Sequence, residues 1–333
     1  MSGRKRNKTS KYIMPVIVLI LCIIGGFKAI TEPGMIPNIN TKVTASDNSD
    51  LLKLKYNGDI AVVINNNKPG FSDEEKKEAG ERIFEDYSPL DYLGRCGIAR
   101  ATICREIMPD PAQKRTSLGS VTPSGWQKIN FWSRCHLIGY QLAGENANER
   151  NLITGCNRMN TTGMIPFENE VREYIDNNPD NRVLYAVEPV FDGENLVASG
   201  VHMRAFSIED DGSGVSFNVY VFNYEPGHII NYADGSVTDD PAHRTTVVLA
   251  DKEAEWTGDE IRVDKAEVKG STGKIRYIYY TEPECHQRTG EQDGAKYNGG
   301  APTKRGQYYA KAVVSGDNWY PTAASNTASL RIL

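Results

Sequence analysis

The sequence predicts an α+β fold: a mixed domain on a central antiparallel sheet, followed by a small all-β sandwich. Three observations predict it. Between residues 183 and 224, three long apolar runs are separated by Asp-Gly pairs, the pattern of antiparallel strands joined by turns. Upstream and beside them, a capping signal and an apolar stripe at helical spacing each mark a helix. Beyond about residue 250, helical periodicity stops, while short strand-like runs continue between Gly, Pro and Asn. At 333 residues the chain can bury two separate cores.

Taken from the start, residues 1–11 form a basic tail containing Arg4, Lys5, Arg6, Lys8 and Lys11. An uncharged apolar run follows from Tyr12 to Phe27, which a helix would stretch to roughly 24 Å. Lys28 can snorkel and Ala29 and Ile30 can extend the run, so residues 12–30 are expected to be a transmembrane signal anchor with its positive end inside. Secretion after cleavage is the alternative, although no small-x-small cleavage site follows at the usual distance. In either case the bulk of the chain lies outside the membrane. Residues 31–53, polar and rich in Pro, Asn, Ser and Thr, are expected to be a linker.

The first domain is expected over residues 54–245. Ile60–Ile64 is a short buried strand closed by the turn-rich NNNKPG. Ser72 caps a helix with Glu75 as its capping-box partner and Ala79, Ile83 and Phe84 as its apolar face. Leu93–Met108 alternates as a strand or hairpin, and PSGW at Pro123–Trp126 is a turn. Phe167, Val171, Tyr174 and Ile175 recur at helical spacing until Asn177-Asn178-Pro179 ends the helix. The strands 183–191, 197–208 and 215–224 complete the sheet. The second domain, 250–333, contains IRVDKAEV, KIRYIYY and QYYAKAVV. GQYYAKAVVSGDNWYPTAAS resembles the closing strands of an immunoglobulin-like module, with a cell-wall or surface ligand as its expected partner.

The formal charge of −5 conceals five cations before residue 12, so the rest of the chain carries −10. A chain that binds phosphates against that sign needs a local basic patch. The expected one is Arg95, Arg100, Arg105, Lys114, Arg115, Lys128 and Arg134, set against Glu106 and Asp110. Of six cysteines, Cys22 lies in the apolar run, which leaves an odd five outside it. Cys96 with Cys104, and Cys135 with Cys156, are open as pairs. No C-x-x-C or H-x-x-x-H spacing suggests zinc.

The chemistry concentrates between Ser133 and Glu168, in SRCHLIGYQLAGENANERNLITGCNRMN followed by TTGMIPFE, with the spacing of a strand, loop, strand and helix. A neutral imidazole can take a proton from water, and His136 is the candidate. Mg²⁺ prefers oxygen ligands and keeps most of its waters, so a single asparagine can hold it. Asn160 lies 24 residues after His136 at the helix entry, and Glu168 stands two turns further on. Each has a plain alternative: a satisfied structural histidine, a helix cap and a solvated surface glutamate. Cys135 as a nucleophile with His136 as its base is disfavoured, because neighbours on a strand face opposite ways.

With Arg134, Cys135 and His136 followed by Asn151, Asn160 and Glu168, the chain resembles the DNA/RNA non-specific endonucleases, the ββα-metal nucleases, in the branch of secreted streptococcal-type DNases. The match extends through NNNKPGF, LGRCGIA, PSGW, GENAN, NLITG, PFENEV and FNVYV, over about residues 55–240. The resemblance implies a ββα-metal nuclease domain that hydrolyses phosphodiester bonds of DNA, with RNA open as a second substrate. It implies His136 as general base and Asn160 as Mg²⁺ ligand, with Mn²⁺ as a substitute metal. Asn151 and Glu168 would hold geometry or metal-bound water, and Arg134 would contact phosphate or position a loop. Ser133 departs from the pattern, standing where the family usually has Asp or Asn, and QKINFW is shorter than the usual segment. The contrasting expectation is a surface-binding protein that uses a degenerate nuclease fold and the C-terminal module. An inhibitor protein is not identifiable from sequence.

Overall fold

A computed structural model describes residues 39–110, 114–290, 292–293 and 296–333. The expected basic tail and anchor lie outside the described residues. Among the described residues no helix is long and apolar enough to cross a membrane.

The elements of the first part, in order, are β1 (Lys42–Val43), α1 (Asn48–Leu51), β2 (Ala61–Ile64), α2 (Asp73–Glu81), β3 (Glu85–Tyr87) and β4 (Ala99–Ile103). They continue as β5 (Trp132–His136), α3 (Tyr140–Ala143), β6 (Leu152–Cys156), a π-helical turn (Met159–Met164), α4 (Ile165–Asn177), β7 (Val183–Val190), β8 (Gly200–Ser207) and β9 (Ser216–Phe222). Seven strands form one sheet in the order β1-β2-β9-β8-β7-β4-β3, antiparallel except for the β1–β2 pair. β5 and β6 form a separate antiparallel pair, in register from Trp132↔Cys156 to His136↔Leu152.

Both faces of the sheet are covered, and β7 shows how. Val183, Tyr185 and Val187 point into the main core with Phe167, Val171 and Ile175 of α4. Leu184 and Ala186 point the other way, against Phe71, Ala79 and Phe84 around α2. A strand buried on both sides reads as an unbroken apolar run, as VLYAV does. Ser72 caps α2 in a full capping box with Glu75. The α2 helix ends at Glu81, so Phe84 packs from beyond it and Ile83 is exposed. At the β8–β9 turn, Asp211 and Gly212 both adopt positive φ, +52° and +78°, as a tight turn of this hand requires.

The structure corrects several expectations. The expected linker is partly folded: β1 joins the sheet, and α1, capped by Asp47, buries Leu51. The expected strand over Leu93–Met108 shrinks to β4, because Asp91 folds the chain before it into a turn that accepts from Leu93 N, Arg95 N and the Arg95 guanidinium. Neither suggested disulfide is present: Cys96, Cys104, Cys135, Cys156 and Cys285 are all free.

After a small hairpin of β10 (His228–Ile230) and β11 (Val237–Asp239), the chain becomes all-β. β12 (Thr246–Val248), β13 (Lys252–Ala254), β14 (Glu267–Lys269), β15 (Ile275–Tyr280), β16 (Gln292–Asp293), β17 (Lys296–Tyr297), β18 (Gly306–Val314), β19 (Ala323–Ala324) and β20 (Ala328–Ile332) follow. The main sheet runs β13-β20-β18-β15, with β19 paired to β18, and the β12–β14 pair is separate from it. Val247, Leu249, Tyr279, Ala312, Leu330 and Ile332 belong to one apolar core.

Candidate active site

The site is built on β5, β6 and the helical segment after them. On β5 the alternation separates the side chains: Cys135 points inward and is completely buried, while Arg134 and His136 share the other side of the strand's alternation. Burial pushes the Cys135 thiol far above its usual range, which removes it as a nucleophile.

His136 is buried at 8% exposure, with Nε2 2.8 Å from the backbone carbonyl of Asn146. A carbonyl only accepts, so Nε2 carries the hydrogen and Nδ1 keeps its lone pair. Facing Nδ1 at 3.4 Å is Nη2 of Arg115. Burial brings the imidazole pKa down to about 4; the Asn146 carbonyl opposes the shift and the Arg115 charge adds to it. The ring is therefore neutral across the physiological range.

Asn146 organises this corner. Its Oδ1 accepts from Arg115 Nε at 2.9 Å, and its Nδ2 donates to the Thr116 carbonyl at 2.8 Å. The Arg115 guanidinium also lies 4.8 Å from the centre of the Tyr140 ring. Among the described residues Arg115 has no carboxylate partner, so its charge is available to an anion.

Asn151 is fully buried and fully used: Oδ1 accepts from Ile138 N at 2.8 Å and Nδ2 donates to Ile138 O at 3.0 Å. Those two bonds fasten the chain just after His136 to the start of β6. Glu168, one turn into α4, reaches the same loop. Its carboxylate packs so tightly on Gly139 that a Cβ there would collide with it, and Gln141 Nε2 donates to Oε2 at 3.3 Å. Burial raises its pKa to about 7, against the opposing influence of Gln141 and of the Arg115 charge. Arg115 thus acts electrostatically on both His136 and Glu168.

Asn160 lies in the π-helical turn, where its carbonyl accepts from Ile165 N, five residues on. Such wide turns recur at functional positions. Among the described residues the Asn160 side-chain amide makes no hydrogen bond, so its oxygen is a free hard donor. The described residues contain no cluster of three His, Cys, Asp or Glu able to cage a metal. A free amide oxygen fits Mg²⁺, which is commonly held by one or two protein oxygens and retained water.

Arg134 turns elsewhere: Nη1 donates to the carbonyls of Gly119 and Val121, both at 3.0 Å, and the guanidinium lies over Trp126. The expected basic patch is not a single surface. Arg95 pairs with Asp91, Arg100 with Glu75 and Asp86, and Arg105 with Asp176, so those three charges are neutralised locally. Arg115, which sequence reading saw only as one cation of the patch, stands apart at the histidine. Asn146, inside GENAN, carries no sequence signal that sets it apart from Asn148.

Comparisons with known proteins find similarity over part of the chain. Residues 74–208 match the family model described as DNA/RNA non-specific endonuclease. A deoxyribonuclease of Streptococcus dysgalactiae subsp. equisimilis is 35% identical over 106 residues, which are 31% of this chain. The match spans 31% of that deoxyribonuclease's own length. Among solved structures, NucA from Streptococcus agalactiae with magnesium bound is similar at a TM-score of 0.47 and 25% identity, covering 54% of this chain and 86% of that one. The Sda1 nuclease with bound zinc is similar at a TM-score of 0.43 and 26% identity, covering 47% and 82%. The similarity to the DNA/RNA non-specific endonuclease family thus lies in residues 74–208.

Proposed function

We infer that the protein is a Mg²⁺-dependent, sequence-nonspecific endonuclease that hydrolyses phosphodiester bonds of DNA, and of RNA as a second substrate. The observation that carries this reading is the placement of His136: Nε2 lies 2.8 Å from the Asn146 carbonyl, which assigns it the hydrogen and leaves Nδ1 as a base facing Arg115, a guanidinium with no carboxylate partner among the described residues. Nδ1 takes the proton of the attacking water, and the imidazolium that forms keeps its Nε2–H bond to the carbonyl. Arg115 receives the scissile phosphate and stabilises the charge that develops on it. Asn160 would hold the metal through its amide oxygen, with Glu168 supporting it from α4. The ion would supply Lewis-acid stabilisation of phosphate charge and a route for protonating the departing oxygen. Asn151 holds the loop between His136 and Glu168 in shape, and Arg134 shapes the 119–121 loop.

Contacts made mainly to phosphate explain the lack of sequence preference and require cleavage to weaken steeply with salt. The basic start and the apolar run Tyr12–Phe27 support an extracytoplasmic place of action, anchored or secreted. A binding protein on a degenerate fold is disfavoured, because the base and its tautomer-fixing partner are both intact. The deciding assay incubates the protein with plasmid DNA and with RNA, in Mg²⁺ and in chelator. Mg²⁺-dependent cleavage that His136→Ala abolishes is expected; cleavage that survives in chelator would defeat the reading.

A further inference from the structure

The C-terminal β-domain touches the first domain next to the residue proposed to hold the metal. Arg158 stands two positions before Asn160, at the entry to the π-helical turn. Its backbone N–H donates to Glu225 Oε2 at 3.0 Å. Its guanidinium reaches into the other domain, donating to the Asp317 carbonyl at 3.2 Å and to Asn318 Oδ1 at 3.1 Å. It also donates to the Tyr56 hydroxyl at 3.1 Å, which in turn donates to the Asn318 carbonyl at 2.5 Å. Among the described residues Nε of Arg158 is buried without a partner, a cost that a free surface arginine would avoid by turning to water.

The loop that Arg158 grips is itself firmly held. Asp317 Oδ1 accepts from Trp319 N and Tyr320 N, both at 2.9 Å, while Oδ2 accepts from Thr272 N of the same β-domain. Trp319 meets the Tyr56 ring edge-on at 5.1 Å and lies 3.3 Å from the Cβ position of Gly58, whose φ of +108° leaves no room for another residue. A π-helical turn is rare and occurs mostly as a single wide turn set into an α-helix, so what holds its ends helps to fix where it lies.

We propose that the C-terminal β-domain is a working part of the metal site: its 317–320 loop, clamped by Arg158, holds the turn that presents Asn160. Arg158 and Asn318 are positioning residues, and the domain acts as a brace as well as any spacer role it has. This inference rests on Asn160 being the metal ligand.

The test uses the full chain and Mn²⁺ as a spectroscopic probe, with binding read by electron paramagnetic resonance and amide hydrogen exchange read over residues 159–165. Asn318→Ala, a mild change remote in sequence from the site, is expected to weaken Mn²⁺ binding about tenfold, as loss of an outer-shell support typically does. It is also expected to speed exchange in the turn. Asn318→Asp, which keeps the acceptor, restores both. Arg158→Ala produces the larger effect where it folds. Unchanged exchange in Asn318→Ala overturns the brace whatever the metal does, and unchanged Mn²⁺ affinity at a temperature where the fold is intact also overturns it. Asn160→Ala separates the two levels: if that variant binds Mn²⁺ normally, the ligand assignment itself has failed and the inference fails with it.

Discussion

The segment from β5 to α4 and the C-terminal sheet are both well buried, yet they bury different things. The first encloses His136, Asn146, Asn151, Thr154 and Glu168, two of them ionisable. Apart from the phenols of Tyr279 and Tyr280, the buried polar groups of the second are the hydroxyls of Thr245, Ser271, Thr289 and Ser325, and each donates to a backbone carbonyl. Burying an ionisable group costs free energy unless it is neutral or bonded, so a chain keeps such groups where chemistry needs them. The difference singles out the first region as the candidate site. It also shows that the neutral His136 and the proton-retaining Glu168 are properties of place rather than of residue type.

The largest expected break of that contrast is His136→Ala, which should lower cleavage by roughly 10²–10⁴-fold while circular dichroism stays unchanged. Residual activity within twofold of the parent would reduce His136 to a core residue. Because its pKa lies near 4, the base remains available down to that pH, and no acid limb near the ordinary histidine value is expected from it in a pH–rate profile. Next comes Arg115→Ala, expected to reduce cleavage by about 10²-fold, the scale for losing one transition-state donor. Arg105→Ala, which removes an exposed pair with Asp176, should leave the rate alone. Equal losses in the two variants would restore the diffuse basic patch that the structure divides.

Glu168→Gln tests burial directly. In the metal-free protein the folded state keeps its proton up to about pH 7, while the unfolded carboxyl releases it near 4.5. Native protein therefore binds more protons across that window, and its stability falls as pH rises through it, by on the order of 3 kcal/mol. Urea unfolding in chelator at pH 5 and pH 8 should show this drop in the parent and a flatter response in the Gln variant. An identical drop in both would mean that the carboxyl titrates normally. The smallest effect belongs to the C-terminal sheet: Arg331→Ala, removing an exposed 3.3 Å pair with Glu253, should change stability by about 0–1 kcal/mol in the same unfolding experiment. A multi-kilocalorie loss there would mean that the C-terminal sheet relies on charge more than its composition suggests.

Much of this arrangement was legible in the sequence wherever the determinants are local. The Ser72–Glu75 capping box and the buried stripe Phe167–Val171–Ile175 are written in spacings of three and four, and the structure contains both. His136 and Asn160 stood out through their company in one short stretch. What stayed hidden depends on contacts between distant segments. Arg115 and Asn146 are 31 residues apart, and no periodicity links them. The strand β1 looked like linker because two residues of edge pairing leave almost no pattern, and Leu51 gives its burial away only once the sheet exists. The seven cations between residues 95 and 134 looked alike in sequence, but the partners of Arg100 and Arg105 lie on α2, β3 and α4, out of reach of any local pattern.

The wide turn at Met159–Met164 also bears on how such a chain can drift. One extra residue per turn is what separates it from plain α-helix, so deleting any of Thr161, Thr162 or Gly163 would allow the segment to relax into more regular bonding. The relaxed helix would rotate Asn160 relative to Glu168 while leaving the core stripe of α4 in place. A lineage could thus lose the proposed placement of Asn160 by a shortening that makes the fold more comfortable, while His136, Asn151 and Glu168 stay in the sequence.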